Sequence, residues 1–178
     1  MKKQNRRQMI KILIICFTVA LLFGCGYSFA PKGENVDNRI QKVYVESFDN
    51  KTAQAEIENY VRTAFINQFI QNSRLKIVGS AESADAIVKG KILNLNTSPL
   101  SYGSNSLVAE ERATIILELS FQENESGKII WSSKNMTGFV DYTLSDDINL
   151  LSPTRKQALI KLANDMAEKA FNMMMAGF

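Results

Sequence analysis

The chain has 178 residues, with 21 Lys and Arg, 18 Asp and Glu and no histidine, which gives a formal net charge of +3 at pH 7. Because histidine is absent, serine nucleophiles lack their usual base and the commonest zinc ligands are reduced to two cysteines, Cys16 and Cys25. We therefore predict that the protein is not an enzyme and that it holds no metal and no cofactor.

Residues 1–24 have the pattern of a secretory signal peptide. Five basic residues and no acidic residue precede a twelve-residue apolar run, residues 12–23. This run is too short for a hydrocarbon core of about 30 Å, which takes about 20 residues, so we expect a cleaved signal. The pair Arg6 and Arg7 is also typical of a twin-arginine signal, but the strongly apolar run favours the general secretory route.

The end of this run, Leu22-Phe23-Gly24-Cys25, resembles the lipobox of bacterial lipoproteins, although Phe23 stands where a smaller residue is usual. The resemblance implies that cleavage precedes Cys25 and that its thiol and its new amino group carry acyl chains such as palmitate. Three acyl chains, at about 0.8 kcal/mol per buried methylene, make a permanent anchor. The alternatives are an ordinary secreted protein and an uncleaved N-terminal anchor, in which Cys25 has no role.

Removal of residues 1–24 reverses the charge balance, because all five charges of that segment are basic. The remaining chain has 16 Lys and Arg (21 − 5) against 18 Asp and Glu, a formal net charge of −2. No basic stripe with interleaved aromatic residues remains, so nucleic acid is not an expected partner. We predict a tether over residues 25–40, which are rich in polar residues, proline and glycine, and a single α+β domain over residues 41–178.

The first part of this domain has a strand–helix–strand pattern. Valines alternate with polar residues in the predicted strand 41–47, and residues 48–52 form a predicted turn. A helix is predicted over residues 54–72 and a short strand over residues 75–78. Short links between these elements imply a right-handed crossover and a parallel pair of strands. The helix carries its apolar stripe on Ile57, Val61, Ala64, Phe65 and Phe69.

Three long strands are predicted next. In the strand 85–96 the apolar phase slips by one residue, which indicates a β-bulge near residues 90–93. Residues 97–108 are predicted to form a loop. The clearest alternation lies in residues 110–122, and a turn connects it to an antiparallel strand over residues 128–142.

The C-terminal segment predicts a second helix. Residues 146–152 are expected to be irregular, with Ser152 as the N-cap and Pro153 as the first helical residue. Gly177 is expected to end this helix. The predicted fold is therefore α+β, a mixed four- to five-stranded sheet with two helices packed on one face. The apolar stripe of the helix comprises Leu159, Leu162, Ala163, Met166, Ala170, Met173 and Met174.

Several segments, in this order and spacing, resemble the lipopolysaccharide-transport lipoproteins of the outer membrane, the LptE-like family. The resemblance covers nearly the whole chain after residue 24 and implies two helices against a mostly four-stranded sheet. It also implies a lipid-anchored protein on the periplasmic face of the outer membrane. Such a protein plugs a large β-barrel translocon and helps it to place lipopolysaccharide in the outer leaflet. The segments are Cys25–Phe29, Val43–Thr52, Arg74–Val78, Ala84–Ile92, Pro99–Tyr102 and Gly127–Trp131.

Two other classes of envelope protein stay open at this point. A curli-secretion-like or TolB-like lipoprotein would act in export, through its own pore or as a periplasmic interaction module. A purely structural envelope lipoprotein would bind neither a barrel nor a glycolipid. Co-purification of a barrel distinguishes these classes from the LptE-like one.

The lengths of the predicted strands indicate where a partner would bind. At about 3.3 Å per residue the strands exceed the helix 54–72, so part of the sheet must project past its helical cover. Basic residues on or beside these strands could meet anionic phosphates, although solvated surface charge is the ordinary role of such residues. The candidate contacts for glycolipid or barrel are Lys89, Lys91, Arg112 and Lys128, with Ser101 and Tyr102 in the predicted loop.

Overall fold

The computed structural model describes residues 36–103, 108–144 and 148–176. The predicted signal peptide, Cys25 and Gly177 lie outside these ranges. The elements are β1 (Lys42–Val45), β2 (Asp49–Asn50), α1 (Ile57–Asn72), β3 (Lys76–Ile77), β4 (Ala86–Tyr102), β5 (Val108–Glu123), β6 (Ile129–Thr143) and α2 (Ile148–Ala176).

The strands form one sheet in the order β3-β1-β4-β5-β6, and β2 pairs with β4 beyond the end of β1. β1 runs parallel to β3 and β4, as the short crossover through α1 predicts. β4, β5 and β6 form an antiparallel meander. The predicted α+β fold is confirmed. The sheet has six described strands instead of four or five, because Asp49 and Asn50, predicted as part of a turn, pair with β4.

The two faces of the sheet differ because its side chains alternate. The face under the helices is apolar, and Ala113, Ile115, Leu117, Leu119 and Phe121 of β5 are all buried there. The opposite face, which we call the open face, carries the residues between them and their cross-strand partners. It includes Lys89 and Lys91 of β4, Arg112 and Glu118 of β5, and Phe139 and Asp141 of β6.

The predicted β-bulge is confirmed in β4. Ile92 pairs with Leu117 and Asn94 pairs with Ile116, so Leu93 is the additional residue. The predicted loop over residues 97–108 is wrong for residues 97–102, which continue β4. Pairing with the start of β5 outweighs the local turn preference of this polar segment, because each paired residue gains ladder hydrogen bonds.

The second helix begins earlier than its sequence pattern indicates. α2 starts at Ile148, so the prediction of Ser152 as N-cap and Pro153 as first residue is wrong, and Pro153 lies inside the helix. A proline this near the N-terminus removes only one hydrogen bond of the first turns, where several N–H groups have no helical partner in any case. The predicted stripe is buried from Leu159 to Met174, except that Met173 is only partly buried.

The core between helices and sheet is closely packed. The ring of Phe69 in α1 meets that of Phe171 in α2 edge-on at 5.2 Å, and Phe121 of β5 lies 6.2 Å from Phe69. At Gly138 of β6 an added Cβ would collide with the Met166 sulfur, which shows how closely α2 lies against this strand. The core therefore fixes α2 directly over the edge strand β6.

Candidate functional site

The most exposed part of the sheet is the distal end of the β4–β5 hairpin. We call residues 96–102 and 108–111 the hairpin tip. β2 ends where Asn50 pairs with Ile92, so beyond that point β4 pairs only with β5 among the described strands. α1, with 16 residues, covers about 24 Å, whereas the 17 residues of β4 extend about 56 Å. As a result residues 96–100 are exposed on both faces of the strand.

Ser101 and Tyr102, two of the predicted contact residues, both lie in the hairpin tip. The Ser101 hydroxyl donates a hydrogen bond of 3.1 Å to Glu110 on the neighbouring strand. Tyr102 pairs with Val108, and 64% of its surface is exposed. The hairpin tip thus exposes polar groups and the aromatic ring of Tyr102, whose hydroxyl can form a hydrogen bond with water or with a polar partner surface.

Arg112 lies on the open face just behind the hairpin tip, in a cluster that its sequence neighbours do not reveal. Its guanidinium donates two hydrogen bonds to Asp141, of 2.6 and 2.7 Å, and lies 4.2 Å from the centre of the Phe139 ring. The guanidinium lowers the pKa of the Asp141 carboxyl, and the carboxylate raises the pKa of Arg112. The Phe139 ring is 56% exposed. Arg112 and Asp141 therefore form a charge-balanced pair beside the Phe139 ring. An anion that bound the Arg112 guanidinium would compete with the Asp141 carboxylate.

Lys89 and Lys91 lie farther from the tip on the same face. They line a cavity of about 320 Å³ together with Glu46, Asp49 and Glu118. Lys91 forms an ion pair with Glu118 at 3.1 Å, whereas Lys89 forms none with any described residue. Lys89 is thus the basic residue of this cavity that has no ion-pair partner among the described residues, and an anion bound to it would lie near the carboxylates that line the same cavity.

Lys128 lies at the opposite end of the sheet, in the turn between β5 and β6. From Arg112 to Glu123 the strand extends about 36 Å, so Lys128 cannot share a small ligand with Arg112. Its end of the sheet is mostly acidic, with Glu123 and Glu125 lining a cavity of about 470 Å³. The structure therefore places three candidates on the open face, two at the tip and one at the far end.

Phe139 and Asp141 are the site residues that the sequence analysis missed. They reach Arg112 only because β5 and β6 pair with Arg112 opposite Asp141 and Thr114 opposite Phe139. An exposed phenylalanine and an aspartate in a strand carry no such signal until the register is known. The alternation of Phe139 with the buried Val140 was the one hint that the phenylalanine faces solvent.

No group of acidic or cysteine side chains suited to a metal ion occurs among the residues that the structure describes. Within the same ranges, neither helix combines the length and the apolarity needed to cross a membrane.

Comparison with known proteins supports the predicted resemblance. The family model described as lipopolysaccharide-assembly (LptE) matches residues 40–174, which span all six strands and nearly all of α2. A search of curated proteins found no significant match.

Solved structures share the fold at low sequence identity. A protein from Xanthomonas campestris has a TM-score of 0.55 at 11% identity, with 83% of this chain and 89% of that chain covered. An uncharacterized lipoprotein B from Nitrosomonas europaea has a TM-score of 0.52 at 15% identity, covering 77% and 83%. A putative lipoprotein from Caulobacter crescentus has a TM-score of 0.51 at 9% identity, covering 73% and 89%. At these identities the likeness concerns the fold alone.

Proposed function

Since this chain belongs to the lipopolysaccharide-assembly (LptE) family, we propose that it is an outer-membrane lipoprotein that plugs a β-barrel translocon and assists it in placing lipopolysaccharide in the outer leaflet. The observation that carries the proposal is the family match over residues 40–174, which includes nearly every described element of the fold. The role assigns no catalytic step to the chain. Its partners would be the barrel, the glycolipid and the membrane.

The shape and polarity of the hairpin tip support the role of a plug. The lumen of a large outer-membrane barrel is polar, so an inserted element must present polar side chains on every side. Residues 96–100 are exposed on both faces of β4, and they include Asn96, Thr97 and Ser98. Ser101 and Tyr102 add a hydroxyl group each at the end of the strand. We expect this tip to lie against the inner wall of the barrel.

The basic residues of the open face support contact with a glycolipid. Lipopolysaccharide carries phosphates, and charge-assisted hydrogen bonds from lysine or arginine to phosphate are among the strongest that proteins make. Lys89 would contribute most, since Lys91 and Arg112 already have carboxylate partners at 3.1 and 2.6 Å. Lys128 would make a separate contact at the far end of the sheet.

The membrane anchor in this proposal is Cys25. Its acyl chains would hold the domain on the periplasmic face of the outer membrane, because three chains bind a bilayer almost irreversibly. The alternative of a pore-forming export lipoprotein needs a hairpin with an apolar, lipid-facing side. The hairpin tip exposes only Leu100 and Tyr102 as large hydrophobic residues, beside the polar residues 96–98, and the apolar side of the remaining meander is buried under the helices.

Photo-crosslinking in the native bacterium tests the proposal. A photoreactive residue at Ser101 or Tyr102 should trap the barrel that co-purifies with the tagged chain, whereas one at Thr63, on the exposed side of α1, should trap it far less. Failure of the tip positions to crosslink, while the barrel still co-purifies, would show that another surface makes the contact. A chain that brings down no barrel would rule out the plug function itself.

A further inference from the structure

β6 presents a long free edge. It is the last strand in the sheet and pairs only with β5 among the described strands. The N–H of Leu144 donates to the Ala109 carbonyl of β5, whereas the carbonyl of Thr137 accepts from Lys169 on the other side. The register with β5 is continuous from Met136 to Thr143. The odd-numbered residues of this stretch therefore point their backbone N–H and C=O groups away from the sheet.

Most of the β6 edge lacks the features that usually prevent an edge strand from pairing with another chain. Native sheets usually protect an edge with proline, charge or a cover. Another free edge, on β4 beyond Ile92, carries Pro99 at a position whose missing N–H would have faced outward. Residues 137–143 of β6 contain no proline, and the charge of Asp141 is balanced by Arg112. Lys169 covers a single carbonyl, that of Thr137, at 3.3 Å.

We propose that the β6 edge takes up an extended segment of the barrel partner as an additional strand. This mode of recognition uses main-chain hydrogen bonds for affinity and side chains of alternate residues for specificity. It rests on the proposed function, which supplies the barrel. The backbone groups of Phe139 and Asp141 form the centre of the site, and the half-exposed Phe139 ring gives the added strand a cross-strand neighbour.

A second copy of this chain does not fit the same edge. Leu162 and Met166 pack against Gly138, so α2 lies directly over β6. Pairing of two β6 strands would bring the two copies of α2 to about one strand spacing, 4.8 Å, whereas packed helices need about 8–10 Å. A single extended segment brings no helix with it.

The charges beside the edge indicate the chemistry of the segment. Lys134 of β6 and Lys169 of α2 form no ion pair with any described residue. An added strand would displace Lys169 from the Thr137 carbonyl and leave its ammonium beside the new chain. The segment should therefore carry carboxylates near these two lysines and an apolar residue opposite Phe139.

Hydrogen exchange at single-residue resolution tests this proposal on the full chain purified with its barrel. Exchange of the Phe139 and Asp141 amides should be at least about tenfold slower in the complex than in the free chain. The matched control is Ile77, whose amide points outward on the free edge of β3, because its neighbours Lys76 and Val78 donate to β1. Equal slowing at both edges, or none at Phe139, would overturn the proposal. If no barrel co-purified with the chain, the result would contradict the proposed function and therefore also this inference.

A pair of variants separates backbone pairing from side-chain contact. Phe139→Pro removes an outward N–H and leaves the ladder with β5 intact, whereas Phe139→Thr removes the ring and keeps the N–H. Loss of one hydrogen bond predicts up to about tenfold less co-purified barrel for the proline variant than for the threonine variant. Equal recovery from the two variants would contradict strand addition. The denaturant midpoints of the two proteins report whether each is folded.

Discussion

Asp85 ties three parts of the fold together through its side chain and its backbone. Its carboxylate accepts hydrogen bonds from the Gln41 and Lys42 amides, at 2.9 and 2.8 Å, which fixes the start of β1 beside β4. Its carbonyl accepts from the Asn124 amide of the β5–β6 turn at 2.8 Å. The two amide donors lower the pKa of the Asp85 carboxyl below its usual 3.8. The ionised form is thus the one that the fold stabilises.

This linkage predicts how Asp85→Ala depends on pH. A folded-state pKa below 3.8 means that the stabilisation is present at neutral pH and is lost as the pH falls through the folded-state pKa. At pH 7 the substitution should lower the free energy of unfolding by about 1 kcal/mol, a value reduced for solvent screening. Denaturant midpoints at pH 7 and below about pH 3 measure the effect. A difference from wild type that stays constant across this range would contradict it, and Glu125→Ala is the exposed control.

At the scale of elements, the sequence pattern predicted those parts of the fold that local alternation determines. The buried face of β5 and the bulge at Leu93 follow from which residues are apolar, and both are confirmed. The extension of β4 to Tyr102 and the short strand β2 depend on a partner strand, which no local pattern reveals. The cluster of Arg112 with Asp141 likewise required the register of β5 on β6. The features that the sequence analysis did not predict are those that depend on strand pairing and not on local composition.

The core prediction belongs to the contact between β5 and α2. Leu117 and Leu162 have 0% and 1% of their surface exposed. Truncation of either to alanine removes buried methyl groups and leaves a cavity, so each should lower the free energy of unfolding by about 2–5 kcal/mol. Glu118→Ala, on the open face of the same strand, should change it by less than about 0.5 kcal/mol beyond the loss of its exposed ion pair. If Glu118→Ala lowered the denaturant midpoint more than the leucine substitutions do, the assignment of the buried and open faces of β5 would be wrong.

At the scale of the whole molecule, the proposed contact surfaces lie away from the point at which the predicted tether would join the domain. The described chain begins at Val36, which is buried, and its carbonyl accepts a hydrogen bond of 2.9 Å from Arg74 at the entry to β3. This is the end of the sheet where the β5–β6 turn lies, opposite the hairpin tip. If the predicted tether holds the domain at this end, the hairpin tip and the β6 edge stay free for a partner. Anchoring and partner binding should therefore be separable by substitution.

Cys25→Ala tests that separation. If Cys25 carries the acyl chains, the variant should accumulate as uncleaved precursor or be released from the outer membrane, because one apolar run of twelve residues does not replace three acyl chains. Its denaturant midpoint should equal that of the wild type, since the core formed by the residues that the structure describes does not include Cys25. Fractionation and labelling with a radioactive fatty acid measure the anchoring, and Cys16→Ala, within the predicted signal peptide, is the matched control. Unchanged fractionation and labelling of Cys25→Ala would exclude this cysteine as the anchor. A lowered midpoint would instead show that the tether contributes to the stability of the domain.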